Sequence, residues 1–441
     1  MNSSKKLFLE RANLQTILQT RLADWVFTAI FISFLFRTIP VTGQDLNITN
    51  QSSILAGKLQ SGTIPKLPGI SEAMQTFVES GDMSGAVTVV INRKKIVHLD
   101  AIGLADISRK EPMQTTSVFW LASMTKPVTA AAILMLQDDG KLNITDLVMK
   151  YIPAFAGLRT PSGQLANITI SQILTHTSGL GEANPGAALK AKTLADLIPL
   201  YLSVPMKYEP GTEWRYTQSG INVASHIVEV ASGMSFDKFV QKRIFDPLGM
   251  INTTFYPSQN PNALRVTGYT KNKSTGIPEA IPLPSDVGKE GLPPLGNAGL
   301  FSTGPDYARF CQMLLRGGSF EGKRYLSKGA IKLLTTIQTG DLPTGFLQTA
   351  NFGNHGANYG WGIGTCILRK PHEGVASMLS AGTFGHGGAW GTQAWIDPVR
   401  GAAYILMVQR PNSGNSDASE IRRLFQQTAV YALSKGSHNR P

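Results

Sequence analysis

Apolar residues are distributed differently along four parts of the chain. Trp25 to Phe36 (WVFTAIFISFLF) is a twelve-residue apolar run behind a polar, basic start. It is shorter than the roughly 20 residues a spanning helix needs, and it suits the core of an export signal. Val41-Thr42-Gly43 offers small residues for cleavage, which would start the mature chain at Gln44. An uncleaved N-terminal anchor is the alternative. Residues 44–68 are polar, hold Gly and Pro, show no period and read as a linker. Ile70, Met74, Phe77 and Val78 then recur at helical spacing, predicting an amphipathic helix over 70–79. Ala86 to Ile91 is a strand, Asn92-Arg93-Lys94 its turn, and Ile96 to Leu99 the return toward Ala105.

From Leu142 to about Leu300 helical periods dominate, separated by Pro- and Gly-rich loops. Helices are predicted at 194–202, 221–231 and 236–244. Gly299 to Asp306 opens another at 307–315, with Ser302 or Thr303 as cap. Strand character returns late. Gly360 to Leu368 reads as a glycine-bearing strand, and Thr383 to Ile396 as a strand interrupted by Gly385-His386-Gly387-Gly388. Ala402 to Gln409 is its apolar partner, and Asp417 to Leu433 a closing amphipathic helix. Strands at both ends with helices between them predict an α+β sandwich. One antiparallel sheet is built from both ends of the chain, flanked by helices, with a large helical insertion at about 142–300. The organisation expected is a leader over 1–43, a linker over 44–68 and a catalytic-size domain over 69–435.

Composition narrows the class. With 441 residues, 42% hydrophobic and 16% charged, the chain is globular and can bury a large core. Net charge is +12; five Lys/Arg and two acids lie in residues 1–43, leaving +9 beyond them. That balance would favour a cell-wall or membrane surface as a peripheral partner, with a solvated basic surface as the plainer alternative. Basic residues are not interleaved with aromatics in any run, which argues against nucleic acid. Cys311 and Cys366 show no metal-ligand spacing, so one disulfide or two buried thiols both fit.

Candidate chemistry starts at Ser123-Met124-Thr125-Lys126. Ser123 is a good N-cap type, Pro127 suits a first turn, and Ala130 to Leu136 are strong helix formers. Serine and lysine three apart share a helix side, roughly 5–6 Å apart at Cβ. A serine hydroxyl needs a base, and a lysine in a pocket loses its charge readily enough to be one. A helix N-terminus supplies N–H groups for an oxyanion. Tyr216 lies in a turn-rich loop before a helix, where a phenol beside a lysine could shuttle a proton. In Gly385-His386-Gly387-Gly388 the glycines would let a substrate backbone approach and leave N–H groups pointing outward, with His386 a donor to substrate or to Tyr216.

Taken together and in this order, these segments resemble the serine β-lactamase and penicillin-binding superfamily, in its class-C-like branch. That branch also holds family VIII carboxylesterases, D-amino-acid amidases and acyltransferases. Ser123-Met124-Thr125-Lys126 is similar to the family's Ser-x-x-Lys. Tyr216-Thr217-Gln218 lies where the family has Tyr-x-Asn or Tyr-x-Ser. His386-Gly387-Gly388 lies where it has Lys-Thr-Gly or, in esterase-like members, His-x-Gly. Leu174 to Leu180 and Gly299 to Thr303 resemble further stretches of the branch, and the likeness runs from about Ile70 to Leu433. The resemblance implies acylation of Ser123, with Lys126 and Tyr216 handling its proton. It implies an oxyanion held by the N–H groups of Ser123 and Ala389, and neither metal nor organic cofactor.

Two departures point to substrate choice. Gln218 stands in place of the usual Asn, which bears on amide recognition. His386 stands in place of a lysine that binds a β-lactam carboxylate, and a neutral histidine suits esters. The resemblance therefore implies a serine hydrolase, a carboxylesterase acting on small acyl esters, and the N-terminal apolar run implies that it is exported. The alternatives are a β-lactamase, D-amino-acid peptidase or acyltransferase using the same site, or a wall-binding sensor that acylates and stalls. His176 is expected to be structural.

Overall fold

Residues 85–92 (GAVTVVIN) carry few side chains that want water, and both faces of the strand they form are covered. In the computed structural model, residues 66–260, 262–344, 355–372, 374, 376–411 and 419–438 are described. The leader and nearly all of the linker expected from sequence lie outside the described residues. Helix α1 (Ile70–Glu79) leads into β1 (Gly85–Asn92), β2 (Ile96–Asp106) and the short β3 (Glu111–Pro112). The late strands are β4 (Tyr359–Trp361), β5 (Cys366–Leu368), β6 (Phe384–Gly387), β7 (Gln393–Asp397) and β8 (Ala402–Met407). They join in one eight-stranded sheet in the order β4-β5-β6-β7-β8-β1-β2-β3. Every neighbouring pair is antiparallel, and Val89 opposite Ile405 ties the two ends of the chain together at its centre.

The two faces of the sheet serve two cores, because successive side chains alternate in direction. Val87, Val89, Ile91, Ala403, Ile405 and Met407 point into a core shared with α2 (Lys126–Asp138) and α6 (Gly304–Leu315). Ala86, Val90, Tyr404 and Leu406 point the other way, against α1 and the closing helix α8 (Glu420–His438). Arg422 of α8 is buried over the Trp395 ring, 4.0 Å from its centroid, a cation–π contact that also covers the sheet. The fold is the α+β sandwich expected, with its sheet assembled from both ends.

Between α2 and α6 the chain forms α3 (Ile170–Leu174), α4 (Leu194–Leu202) and α5 (Ser219–Ser232) with long connections. Thr169 and Thr193 close capping boxes on α3 and α4. Thr303, of the two cap candidates, accepts from the Asp306 N–H and starts α6, and Ser327 caps the next helix, α7 (Lys328–Thr335). α2 is buried along residues 126–136, so its apolar character is not one-sided.

Three sequence expectations change. Ser123 is not a cap: residues 122–125 form a 3-10 turn, and α2 starts at Lys126 with Thr125 as N-cap. Thr383 to Ile396 is two strands, not one with an interruption, since residues 388–392 turn the chain back and pair β6 with β7. Gly360 to Leu368 likewise folds into the β4–β5 hairpin. In both hairpins the glycines permit a reversal that period alone does not mark. Cys311 is a free thiol buried in α6, so the disulfide alternative does not form.

Candidate active site

The turn that carries Ser123 is held from several sides. Leu121 N–H donates to Leu300 O at 2.9 Å, and Tyr307 Oη donates to Met124 O at 2.8 Å. Thr125 Oγ1 donates to Ala122 O at 2.7 Å and accepts from the Leu300 N–H at 3.1 Å. Ala122 itself is left-handed, at φ 47°. A non-glycine residue pays about 1–2 kcal/mol there. The surrounding bonds overdetermine this strained conformation and project the half-buried Ser123 side chain beside the start of α2.

Lys126 follows one turn later and is fully buried. Its Nζ lies 3.0 Å from Ser123 Oγ, 2.9 Å from Gln218 Oε1 and 2.9 Å from Asn297 O. Two of these neighbours are carbonyl oxygens, which only accept. A neutral amine has two N–H groups and one lone pair. With the N–H groups taken by Gln218 and Asn297, the lone pair is left for the Ser123 hydroxyl. Burial holds Lys126 well below the ordinary lysine pKa, against the opposing pull of the Glu182 carboxylate.

Tyr216, Gln218 and Asn297 come from the connections around α5. Lys126 Nζ sits 4.6 Å from the centroid of the half-buried Tyr216 ring. Tyr216 Oη is 3.5 Å from Nε2 of His386 on β6. His386 Nδ1 lies 2.7 Å from Gly387 O. A carbonyl can only accept, so Nδ1 carries the proton and Nε2 is the acceptor that faces the phenol. Burial first, and the nearby Lys126 second, push His386 down to about 3, so it is neutral at ordinary pH. His386 therefore presents a neutral acceptor to the phenol.

The turn 388–392 brings Ala389 to the same place. Gly388 N–H donates to Thr392 O at 2.7 Å, and Thr392 Oγ1 donates to Leu121 O at 3.1 Å. A Cβ on Gly388 would stand 2.5 Å from Leu121 O, so only glycine lets this turn lie against the main chain that leads into Ser123. Ala389 is exposed at its tip, and Trp390 packs edge-on against Trp120, 5.3 Å between centroids. Of the sequence-predicted residues, Ser123, Lys126, Tyr216, Gln218 and His386 are thus linked by direct contacts, and the turn with Gly388 and Ala389 continues from His386-Gly387 and lies against Leu121, two residues before Ser123.

Sequence reasoning missed two residues. Asn297 supplies the main-chain acceptor for Lys126, and its Nδ2 donates to Gln218 Oε1 at 2.9 Å. Its nearness to the Gly299-Leu300 stretch was the available signal. Glu182, an exposed residue, turns its carboxylate to the Gln218 and Ser219 N–H groups at the start of α5. Partial burial of the carboxylate raises its pKa, and those N–H groups and Lys126 oppose the rise. Among the described residues, no group of three His, Cys, Asp or Glu side chains could hold a metal ion.

Comparison with known proteins agrees with this arrangement. The Beta-lactamase family profile matches residues 70–429. An uncharacterised protein of Mycobacterium tuberculosis is 29% identical over 378 residues, 80% of this chain and 92% of that one. Esterase EstB of Burkholderia gladioli is 27% identical over 377 residues, 79% of this chain and 91% of the esterase. Among solved structures, EstCE1, described as a hydrolase with promiscuous acyltransferase activity, superposes with a TM-score of 0.67 at 23% identity. That likeness covers 82% of this chain and 97% of EstCE1. With most of its length matched to one profile and its sheet and helices arranged as in such neighbours, the chain belongs to the Beta-lactamase family and is a hydrolase of that fold.

Proposed function

We propose that the chain is a carboxylesterase that acts on small acyl esters through a Ser123 acyl-enzyme. The carrying observation is the Lys126 amine, buried, bonded to two carbonyl oxygens, with Ser123 Oγ as its third neighbour. Lys126 takes the hydroxyl proton as Oγ bonds to the ester carbonyl carbon. The carbonyl electron pair moves to oxygen, where the N–H groups of Ser123 and Ala389 stabilise it. Collapse breaks the bond to the alcohol oxygen, which receives a proton relayed from Lys126 through Tyr216. Water then adds to the acyl group, gives its proton to the same base, and Ser123 leaves with a proton restored.

His386 supports an ester over a β-lactam or peptide carboxylate. A neutral imidazole offers such an anion no charge, and the Tyr216 hydroxyl already faces Nε2. The name of esterase EstB is consistent with ester chemistry in this family, and the acyltransferase activity in the description of EstCE1 makes an alcohol a second acceptor to test beside water. An exported, wall- or membrane-associated location remains part of the proposal, on the basic balance and the N-terminal apolar run. Among the described residues, no helix is long and apolar enough to cross a membrane.

The test is turnover of p-nitrophenyl butyrate and of nitrocefin by the purified chain and by Ser123→Ala. Ester turnover that falls to background in the variant is expected. Ester turnover that survives Ser123→Ala would remove the nucleophile assignment. Nitrocefin turnover without ester turnover would reverse the substrate assignment. A stoichiometric burst that stops would support the stalled sensor.

A further inference from the structure

We propose that His176 is the positioning residue for Tyr216, gripping the backbone on both sides of the tyrosine while its ring supports the phenol ring. This rests on the reading of Tyr216 as the proton relay. His176 main-chain O accepts from the Arg215 N–H at 3.0 Å. Its side-chain Nδ1 accepts from the Thr217 N–H at 3.2 Å. Tyr216 lies between those two donors, so one residue fixes the peptide units before and after it. The imidazole then packs on the Tyr216 ring with 4.5 Å between centroids and the planes tilted by 43°. Trp214 and Trp361 close the other sides of the imidazole at 5.9 and 5.0 Å.

The grip depends on an unusual state of the histidine. It is left-handed at φ 61°, a conformation that lets main-chain O and side chain turn toward the same strand of loop. Tyr208 Oη holds the same main-chain O at 3.1 Å. Because Nδ1 accepts, the proton sits on Nε2, which among the described residues has no hydrogen-bond partner. The group is 1% exposed. Burial keeps it neutral, and only the neutral ring can offer Nδ1 to Thr217. A histidine chosen for packing alone gains nothing from a buried unpaired N–H. Serving as an acceptor explains why that group is tolerated, and an error of about 1 Å in the phenol would cost on the order of 100-fold in rate.

Asparagine sharpens the test. Its Oδ1 hangs from Cγ as Nδ1 does, and it tolerates the left-handed region. Glutamine puts its oxygen one bond too far. In p-nitrophenyl butyrate hydrolysis, His176→Ala should lower kcat about 100-fold with KM changed less than about threefold. His176→Asn should recover to within about tenfold of the parent, and His176→Gln should not. In a Tyr216→Phe background, His176→Ala should cost less than about threefold, because the group it positions is already gone. Equal cost in both backgrounds, or His176→Asn as poor as His176→Ala, would overturn the proposal. If His176→Ala fails to fold by circular dichroism, the Asn–Gln pair decides on the same criteria in both backgrounds. If the parent turns over nitrocefin and no ester, the ester reading has failed separately, and the same cycle is run on nitrocefin acylation of Ser123.

Discussion

The site has two walls made in different ways. On the sheet side, Ser123 and Ala389 sit on a main-chain frame: β6 pairs with β7, the 388–392 turn closes on itself and Leu121 is tied to Leu300, with the Thr125, Tyr307 and Thr392 hydroxyls bonded to main-chain groups of the same turns. On the insertion side, Tyr216, Gln218 and Asn297 are set by side chains: His176 on Thr217, Glu182 on Gln218, and the Asn222 Oδ1 accepting from the Asn297 N–H at 3.1 Å. In the proposed mechanism the sheet side would place atoms where reaction charge develops, with little freedom to vary. The insertion side would carry the groups that move protons and distinguish substrates. Buried side-chain acceptors there are individually replaceable, while a strand register is not. Lys126 is where the walls meet, since it starts a sheet-side helix and both of its carbonyl partners come from the insertion.

The largest effect should therefore come from Lys126. Lys126→Met keeps the buried stem and removes the amine. The expected result is a fall in kcat/KM of at least about 1,000-fold for p-nitrophenyl butyrate. Stability should change by less than about 3 kcal/mol, because the loss of a partner for Asn297 O is offset by removing a desolvated amine. Thermal melting beside steady-state kinetics separates the two. A variant that melts far below the parent would mean that Lys126 is a structural joint between the walls as much as a base.

Next in size is a change confined to the sheet side. A Cβ at 388 would stand 2.0 Å from Thr392 Oγ1 and 2.5 Å from Leu121 O, one of them main chain. Gly388→Ala should cost about 1–3 kcal/mol of stability. It should also lower kcat about 100-fold, because the shifted turn takes the Ala389 N–H out of place. Activity and stability should fall together here, unlike at Lys126. Denaturant unfolding read beside kcat checks this coupling. A stable Gly388→Ala with full activity would show that the sheet side can relax, and the contrast between the walls would dissolve.

The same contrast decides what sequence could show. The sheet side is local and periodic. Ala86 to Ile91, Ala402 to Gln409 and the glycines around His386 announce strands, and Ser123 and Lys126 are three residues apart on the chain. Their exact backbone was less visible. Ser123 sits in a 3-10 turn behind a left-handed Ala122, held by Leu300 and Tyr307, and nothing near residue 122 announces contacts that distant. The insertion side is assembled from residues 176, 182, 216, 218 and 297, whose partners are fixed by tertiary packing. Glu182 and Asn297 lie in loops with no pattern of their own. His176 reads as a packing residue until Thr217 is seen bonded to its ring.

The smallest effect concerns that side alone. Glu182 acts on the site through charge: its carboxylate favours the protonated form of Lys126, opposing burial. Glu182→Gln keeps an acceptor for the Gln218 and Ser219 N–H groups and removes the charge. The helix start should lose only about 0.3–1 kcal/mol. Lys126 should then be deprotonated at lower pH, because the group that stabilised its cation is gone. A base works in its deprotonated form, so the acidic limb of the kcat/KM profile should move to lower pH in Glu182→Gln. The plateau at higher pH should stay within about threefold of the parent. The measurement is the full pH dependence of ester hydrolysis for both proteins. A limb that moves upward would mean that Glu182 lowers the lysine's basicity, and an unmoved limb would mean that a group other than Lys126 sets it. A shifted limb with an unchanged plateau would show that the insertion wall tunes the base without placing the nucleophile.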